Sequence, residues 1–324
     1  MDNISPFGAK RPTASGAAST PEVLPDAAAK RRLHRKGVLL VLASAAAFSA
    51  KSVFVKLAYR HGVDAITLLS LRMAFSAPMF AAAIAWRAAR DGGVRLESRD
   101  VASLAGLGVL GYYLSSLFDF LGLQYVSAGL ERLILFSYPT IVVVLSAIWL
   151  RHRITRREIF ALAVTYAGIA LSYVQDFTTQ QRGVAVGSLL VFASALVYSI
   201  YLIASGPLIR RLGSVRFSSW AFLVSTIATL GQFAATREIA GLVQPWPVYG
   251  WTMLMAVVST FLPILGLSEG IRLIGSGRAA MVGSIGPVVT ILLAFVFLGE
   301  PIAWVQTLGA LLVLVGVLSI SVAK

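Results

Sequence analysis

The chain has 324 residues, 57% of them apolar and only 13% charged. Soluble domains run at roughly half apolar and about a quarter charged, so a soluble enzyme, a disordered chain and a coiled coil are excluded. With a mean hydropathy of +0.81 the suitable solvent is lipid. At about 20 residues per crossing, the length holds ten spans and short loops but no large extramembrane domain.

Residues 1–36 are rich in Ala, Ser, Pro and Gly and close on Lys30, Arg31, Arg32, Arg35 and Lys36. Such a composition builds no core and reads as a disordered cytoplasmic tail. A cleaved signal peptide fits poorly, because the basic region is too long and the apolar run continues past the small residues 43–50. Apolar runs then recur at 37–58, 65–86, 101–121, 128–150 and 159–174, and again at 184–203, 217–235, 251–270, 279–298 and 302–322. Each is near the length of a spanning helix, and backbone groups in lipid must be bonded within their own segment, so an all-α bundle of ten transmembrane helices is predicted. Trp86, Trp149, Trp251 and Trp304 stand at run ends, where interfacial anchors sit.

The net charge of +14 has two readings, nucleic-acid binding or basic cytoplasmic loops. The positions decide. With the N-terminus in the cytoplasm and alternation thereafter, 21 of the 28 Lys and Arg fall inside and four outside, while Lys51, Arg72 and Arg132 lie within runs. That asymmetry predicts a multi-pass inner-membrane protein with both termini cytoplasmic, and removes the motive for a nucleic-acid partner. There is no cysteine, and His34, His61 and His152 are scattered, so neither a metal site nor a cofactor is expected.

The two halves repeat. At an offset of 150, Gly37 meets Gly187, Val41 meets Val191, Ala43-Ser44-Ala45 meets Ala193-Ser194-Ala195 and Ser49 meets Ser199. At an offset of 148, Gly122 meets Gly270, Gly129 meets Gly277, Pro139 meets Pro287 and Gly168 meets Gly316. The repeats cover 37–176 and 183–322. Five spans is an odd number, so the second copy enters the membrane inverted, an architecture of secondary transporters.

Several features resemble the EamA-like branch of the drug/metabolite transporter superfamily. They are the paired five-helix repeats, the Leu71-Arg72-Met73 step, Pro139 and Pro287, the Phe297-Leu298-Gly299-Glu300-Pro301 close of span nine, and Gly309 and Gly316 in span ten. The sequence departs from that pattern at His152, which matches Glu300 in the first repeat, and at Lys51, where many relatives are neutral. The resemblance implies a ten-helix bundle around a cavity lined by spans one, three, four, six, eight and nine. It also implies movement of small metabolites without ATP.

Intramembrane charge carries the functional signal, since each such group costs at least a few kcal/mol at the bilayer centre. Lys51, Arg72, Asp119, Glu131 and Arg132 fall in the outer half, all in the first repeat, and their counterparts are Tyr201, Phe222, Leu267, Ala279 and Ala280. A cluster is predicted, Lys51 with Asp119 and Arg72 with Glu131 or Asp119, holding an anionic or zwitterionic group or forming an outer gate. A network that only fixes helix angles is the structural alternative, and Glu131 and Arg132 could also reach the headgroups by snorkelling. Pro139 and Pro287 free the carbonyls of Leu135 and Gly283, and matched broken helices point to a site at the repeat interface. Tyr138, Ser137 and Ser284 are placed beside them, with Tyr112, Tyr113, Ser115, Ser116, Tyr198, Tyr201, Ser259 and Thr260 as further lining candidates.

Gly266-Leu267-Ser268-Glu269-Gly270 fits the G-x-S-x-G hydrolase pattern, but no histidine lies at mid-membrane depth to serve as its base. No Walker A motif occurs, so a gradient must drive uphill flux, and Asp119, Glu131 and Glu269 are the acids to consider for proton coupling. The resulting expectation is a carrier of a small polar metabolite working by alternating access. Broad drug efflux is the alternative within transport, and a non-transporting sensor the alternative outside it. The partners expected are the small-molecule substrate and the lipid bilayer; the Gly309 to Gly316 spacing serves a homodimer or packing within the chain equally well.

Overall fold

The computed structural model describes residues 27–92, 96–149, 155–178, 182–274, 279, 282–283 and 285–321. Among the described residues there are ten helical rods and no strand. They are α1 (Ala27–Tyr59), α2 (Ala65–Asp91), α3 (Ser98–Gly122), α4 (Ala128–Trp149) and α5 (Arg156–Thr178). The second set is α6 (Val184–Leu212), α7 (Ser214–Thr236), α8 (Trp246–Ile274), α9 (Gly286–Leu298) and α10 (Trp304–Ser321). Seven are long and apolar enough to cross a membrane, and α9 and α10 are shorter apolar helices. The remaining rod, α7, has the length at 23 residues but is diluted by Ser and Thr. Its Thr226 and Thr229 hydroxyls donate back to Phe222 O and Ser225 O, so they enter the bundle already satisfied.

Local chemistry sets the ends. Asp64 caps α2, accepting from Ile66 N and Thr67 N, and Ser127 caps α4, accepting from Leu130 N at 3.0 Å. Gly213 (φ +79°) makes the turn between α6 and α7, and Gly299 (φ +71°) ends α9 in the left-handed region. Two expectations are corrected. Residues 27–36 are not an unstructured tail but extend α1, because Ala27, Ala28, Ala29 and Lys30 are strong helix formers; residues 1–26 lie outside the described residues. Trp251 is not a helix-end anchor: it stacks on Phe54 at 5.9 Å, and the 83% exposed Trp246 stands at the start of α8 instead.

Helix pairing obeys an exchange of the two halves. α1 packs on α8 and α9, as α6 packs on α3 and α4. α2 pairs with its own counterpart α7, and α5 with α10. The α2–α7 and α5–α10 pairs flank six central helices: α1, α3, α4, α6, α8 and α9. In lipid, helix association relies on close packing rather than hydrophobic drive, so small residues mark the crossings. A Cβ on Gly122 would lie 2.6 Å from Val191 Cγ2 and 2.9 Å from Gly187 O. Its counterpart Gly270 would meet Val41 Cγ2 at 2.5 Å and Gly37 O at 3.3 Å, the same contact in the other half. Gly309 and Gly316 are covered by Gly168, Ser172, Thr165 and Ala161 of α5, so that spacing serves packing within the chain. Outward residues such as Leu189, Ile227 and Val296 are at least two-thirds exposed (68%, 74% and 68%), a surface made for hydrocarbon.

Polar ties between the halves close both ends. At the end holding the α1 C-terminus, Arg60 Nη2 donates to Leu298 O at 2.6 Å, Ala128 N donates to Glu300 Oε1 at 3.1 Å, and Arg237 pairs with Asp64. At the other, basic end Arg211 Nη1 meets Asp100 Oδ1 at 2.6 Å.

Candidate functional site

Pro139 removes the amide that would bond Leu135 O, and the helix breaks there. α4 runs to Leu135, turns through Phe136 and Ser137 and resumes at Tyr138. In α9, Pro287 follows Gly286 at the head of a new helical segment. The two breaks meet at the centre of the bundle, where a Cβ on Gly286 would sit 2.9 Å from Phe136 Cζ and 3.0 Å from Arg132 Nη2. A serine from the opposite repeat ties each break. Ser49 of α1 shares its proton between Ala45 O (2.7 Å) and Gly286 O (3.0 Å). Ser199 of α6 does the same with Ala195 O (2.7 Å) and Tyr138 O (3.1 Å). Ser49 and Ser199, like Tyr138 and Gly286, are repeat counterparts, so one bond is made twice across the exchange.

The charged cluster lies toward the end opposite the basic one. The Lys51 ammonium of α1 pairs with Asp119 Oδ2 of α3 and reaches Glu131 Oε1 of α4 at 3.3 Å. Asp119 is 3% exposed, and Glu131 is fully buried rather than snorkelling. Arg132, also buried, lies over the Phe136 ring at 5.0 Å and donates to Ser49 Oγ at 3.4 Å. Arg72 does not make the expected pair with a carboxylate. It donates to Ser116 Oγ at 2.9 Å and lies over Phe120 at 4.9 Å, since its place on α2 points it one turn below Asp119 on α3. Asp119 Oδ1, Glu131 Oε2 and the Nε atoms of Arg72 and Arg132 are buried with no hydrogen-bond partner. Buried polar atoms in that condition mark a strain reservoir or a place for something else to bind.

Beside the cluster runs a row of aromatic rings. Centroid separations are 6.2 Å for Phe136–Tyr138, 5.5 Å for Tyr138–Tyr198, 5.6 Å for Tyr198–Tyr201, 5.6 Å for Tyr201–Tyr112 and 5.7 Å for Tyr112–Phe222. The row follows a feature that sequence reasoning missed, a π-helical turn at Val109–Leu114 in α3 matched by one at Val257–Phe261 in α8. Such turns recur at functional sites. Here Gly111 lets the Tyr201 ring lie on the turn, where a Cβ would come within 2.3 Å of the ring. A cavity of about 590 Å³ opens between α3 and α6 toward the basic end, lined among others by Asp100, Leu107, Leu110, Leu208 and Arg211. Tyr112 and Tyr201 stand between it and the charged cluster.

The structure therefore brings Lys51, Asp119 and Glu131 together, sets Tyr112, Tyr138 and Tyr201 in one aromatic row, and puts Pro139 and Pro287 at the facing breaks. Ser284 and His152 lie outside the described residues. Ser115 serves α3–α6 packing through Ser194 at 3.1 Å. Ser268 sits on continuous helix and donates to Ile264 O at 2.8 Å, unlike a nucleophile on a strand-to-helix elbow.

The model of the EamA-like transporter family matches residues 35–174 and again 185–322. The chain is 29% identical over 286 residues to the uncharacterized transporter YcbK of Bacillus subtilis (strain 168), covering 86% of this chain and 91% of that protein. It is 26% identical over 294 residues to a probable terminal-alkyne amino-acid exporter of Streptantibioticus cattleyicolor, covering 88% and 91%. A solved crystal structure shares the fold with a TM-score of 0.63 at 16% identity, over 89% of this chain and 99% of that one. With a family match in each half, and ten helices that pair by exchange of those halves, the chain belongs to the EamA-like transporter family of the drug/metabolite transporter superfamily.

Proposed function

We propose that this protein carries a small zwitterionic or anionic solute, amino-acid-like in its charges, across the inner membrane by alternating access, with both termini in the cytoplasm. The carrying observation is one partly buried ammonium, Lys51, held between buried carboxylates from two further helices, with the Arg132 guanidinium one residue from Glu131. A zwitterion needs both signs of charge within a few ångströms, and the helix breaks at Pro139 and Pro287 bring flexible backbone to the same depth. The 26% identity to a probable terminal-alkyne amino-acid exporter supports an amino-acid-like solute. The tyrosine row favours a second reading, efflux of flat apolar cations, which aromatic faces bind well. A non-transporting sensor is the third.

Counterflow in liposomes loaded with unlabelled amino acids, followed with the radiolabelled compounds one at a time, tests the proposal. Accumulation that disappears in Lys51→Ala and Asp119→Ala at normal expression is expected. Wild-type flux in both variants removes the cluster from the site. Ethidium efflux without amino-acid counterflow selects the second reading, and no flux of either kind selects the third.

A further inference from the structure

We propose that the groove between α3 and α6 at the basic end seats one phospholipid with a primary-amine headgroup, its acyl chain lying in the groove, its phosphate on Arg99 and its ammonium on Glu97. The site lies on the lipid side of the bundle and is independent of which solute is carried.

The groove follows from how the two helices are tied. In mid-bundle Ser115 and Ser194 hold α3 against α6 at 3.1 Å. Toward the basic end the Tyr201 ring lies on Gly111, between the two helices, and at the end itself Arg211 Nη1 closes on Asp100 Oδ1 at 2.6 Å. The cavity of about 590 Å³ is the space left beside these ties. It opens toward lipid. Val186 and Leu189, exposed on α6, are followed five turns later by Ala204 and Pro207, also exposed, so all four share one face. Other sides of that helix turn inward, with Ser199 bonded to Tyr138 O and Tyr201 stacked on Phe217 of α7. On α3, Ser103 and Gly106 are exposed in the same groove, and a Cβ on Gly106 would find nothing within 4 Å. Leu107, Leu110 and Leu208 give the groove an apolar wall. A recess without partner atoms forfeits dispersion contacts, which an acyl chain restores. From Arg99 to Leu110 the helix runs about 16 Å, close to one leaflet of a hydrocarbon core about 30 Å thick.

The mouth selects the headgroup. Arg99 and Arg211 line it against Glu97 and Asp100, so it is neutral overall. Asp100 is committed, accepting from Arg211 Nη1 and, through Oδ2, from Glu97 N at 2.9 Å. Arg211 is thereby committed too, and reaches Glu97 Oε1 only at 3.5 Å. What remains is Arg99, exposed and paired with no carboxylate among the described residues, and the Glu97 carboxylate, whose side chain is 74% exposed. One cation and one carboxylate match one phosphate and one primary ammonium. A quaternary ammonium has no N–H to donate to Glu97, and a headgroup of net negative charge leaves Glu97 facing a like charge.

Native mass spectrometry of the full-length protein tests this, with phosphatidylethanolamine, phosphatidylcholine and phosphatidylglycerol of the same acyl chains offered in equal amounts in detergent. One phosphatidylethanolamine is expected to be retained about tenfold over either competitor, the worth of one charge-assisted hydrogen bond. Glu97→Lys, which leaves the Asp100–Arg211 pair in place, is expected to turn the preference to phosphatidylglycerol. Gly106→Leu puts a side chain into the open groove and is expected to lose the lipid, whereas Gly231→Leu, on the equally open face of α7, is expected to keep it. Equal retention of the three lipids, or a wild-type preference for phosphatidylglycerol, overturns the proposal. So does a preference unmoved by Glu97→Lys or retention unmoved by Gly106→Leu. The two variants act on opposite ends of the site, so a folding failure in one leaves the other to decide.

Discussion

Lys51→Met keeps the approximate length of the side chain and removes its charge, leaving the buried Asp119 and Glu131 without the cation they share. Removing one partner of a buried ion pair costs about 3–5 kcal/mol, because the charge left behind is unpaired. Here both carboxylates lose the same cation, since Lys51 Nζ serves Asp119 and Glu131 at once. Uptake of a proton by the pair offsets part of the loss, so the lower end applies, about 3 kcal/mol or roughly a 150-fold shift toward the unfolded chain. Against a total stability of about 5–15 kcal/mol this is a large fraction. Denaturant unfolding of the purified protein, followed by tryptophan fluorescence, measures it. Adding Glu131→Gln to Lys51→Met is expected to recover about 1–2 kcal/mol, because one buried carboxylate is then neutral. A Lys51→Met protein within about 0.5 kcal/mol of wild type, or a double variant equal to the sum of its single changes, refutes the pairing.

The glycine crossings give a matched pair of predictions: Gly122→Ala and Gly270→Ala each lose about 1–3 kcal/mol through overpacking. Gly122→Ala is the worse, since its Cβ meets the Gly187 carbonyl at 2.9 Å while Gly270 finds Gly37 O at 3.3 Å. Gly231→Ala on the open face of α7, with nothing within 4 Å, gains a few tenths to about 1 kcal/mol from helix propensity; thermal unfolding of the three side by side checks the order. Asp64, in the turn between α1 and α2, has burial pushing its carboxyl up, but the Thr67 hydroxyl and amide, Arg237 and the Ile66 amide together hold it below the usual value. Asp64→Ala is expected to cost about 1 kcal/mol as a lost helix cap, discounted for an exposed partner. Because the folded-state value is lowered, that contribution is full at neutral pH and fades as pH falls below about 4, so wild type and variant converge in acid; equal separation at pH 7 and pH 3 refutes it.

Much of this architecture is legible in the residues because lipid leaves few options. The runs fix the rods, and the Gly frame at constant offset reports the crossings directly, since Gly122 and Gly270 are small for the same reason. The pairing of Lys51 with Asp119 is legible from depth alone, as is the bend at Pro139. The target of Arg72 is not, because helix rotation decides whether it meets Asp119 or Ser116, and apolar runs carry little rotational signal. The π-helical turns at Val109–Leu114 and Val257–Phe261 also leave no periodic mark in so uniform a stretch. One signal was available: Ser49 and Ser199 match at the repeat offset, and the carbonyls they bond belong to the residues just before Pro139 and Pro287.

The two repeats share a scaffold but not a chemistry, and the difference bears on the transport cycle. Ser49 and Ser199, Gly122 and Gly270, and the π-helical turns of α3 and α8 are matched between the halves, whereas the π-helical turn at Ala294–Leu298 in α9 corresponds to plain α-helix at the matching described residues of α4. Lys51 and Tyr201 occupy the same position on α1 and α6, yet one holds two carboxylates and the other a tyrosine. A carrier with identical halves has equal energies when it opens to either side. Here the charges sit toward one end and the phenols toward the other, so on the proposed alternating-access cycle an opening toward the charged end would rehydrate buried ions, while an opening toward the basic end would part Tyr112 from Tyr201. Rehydrating an ion returns solvation that burial took away, whereas parting two rings returns little. On that cycle the conformations facing the two sides are therefore unequal before any gradient is applied, and a bound solute, by pairing its ammonium with the carboxylates, moves them toward balance.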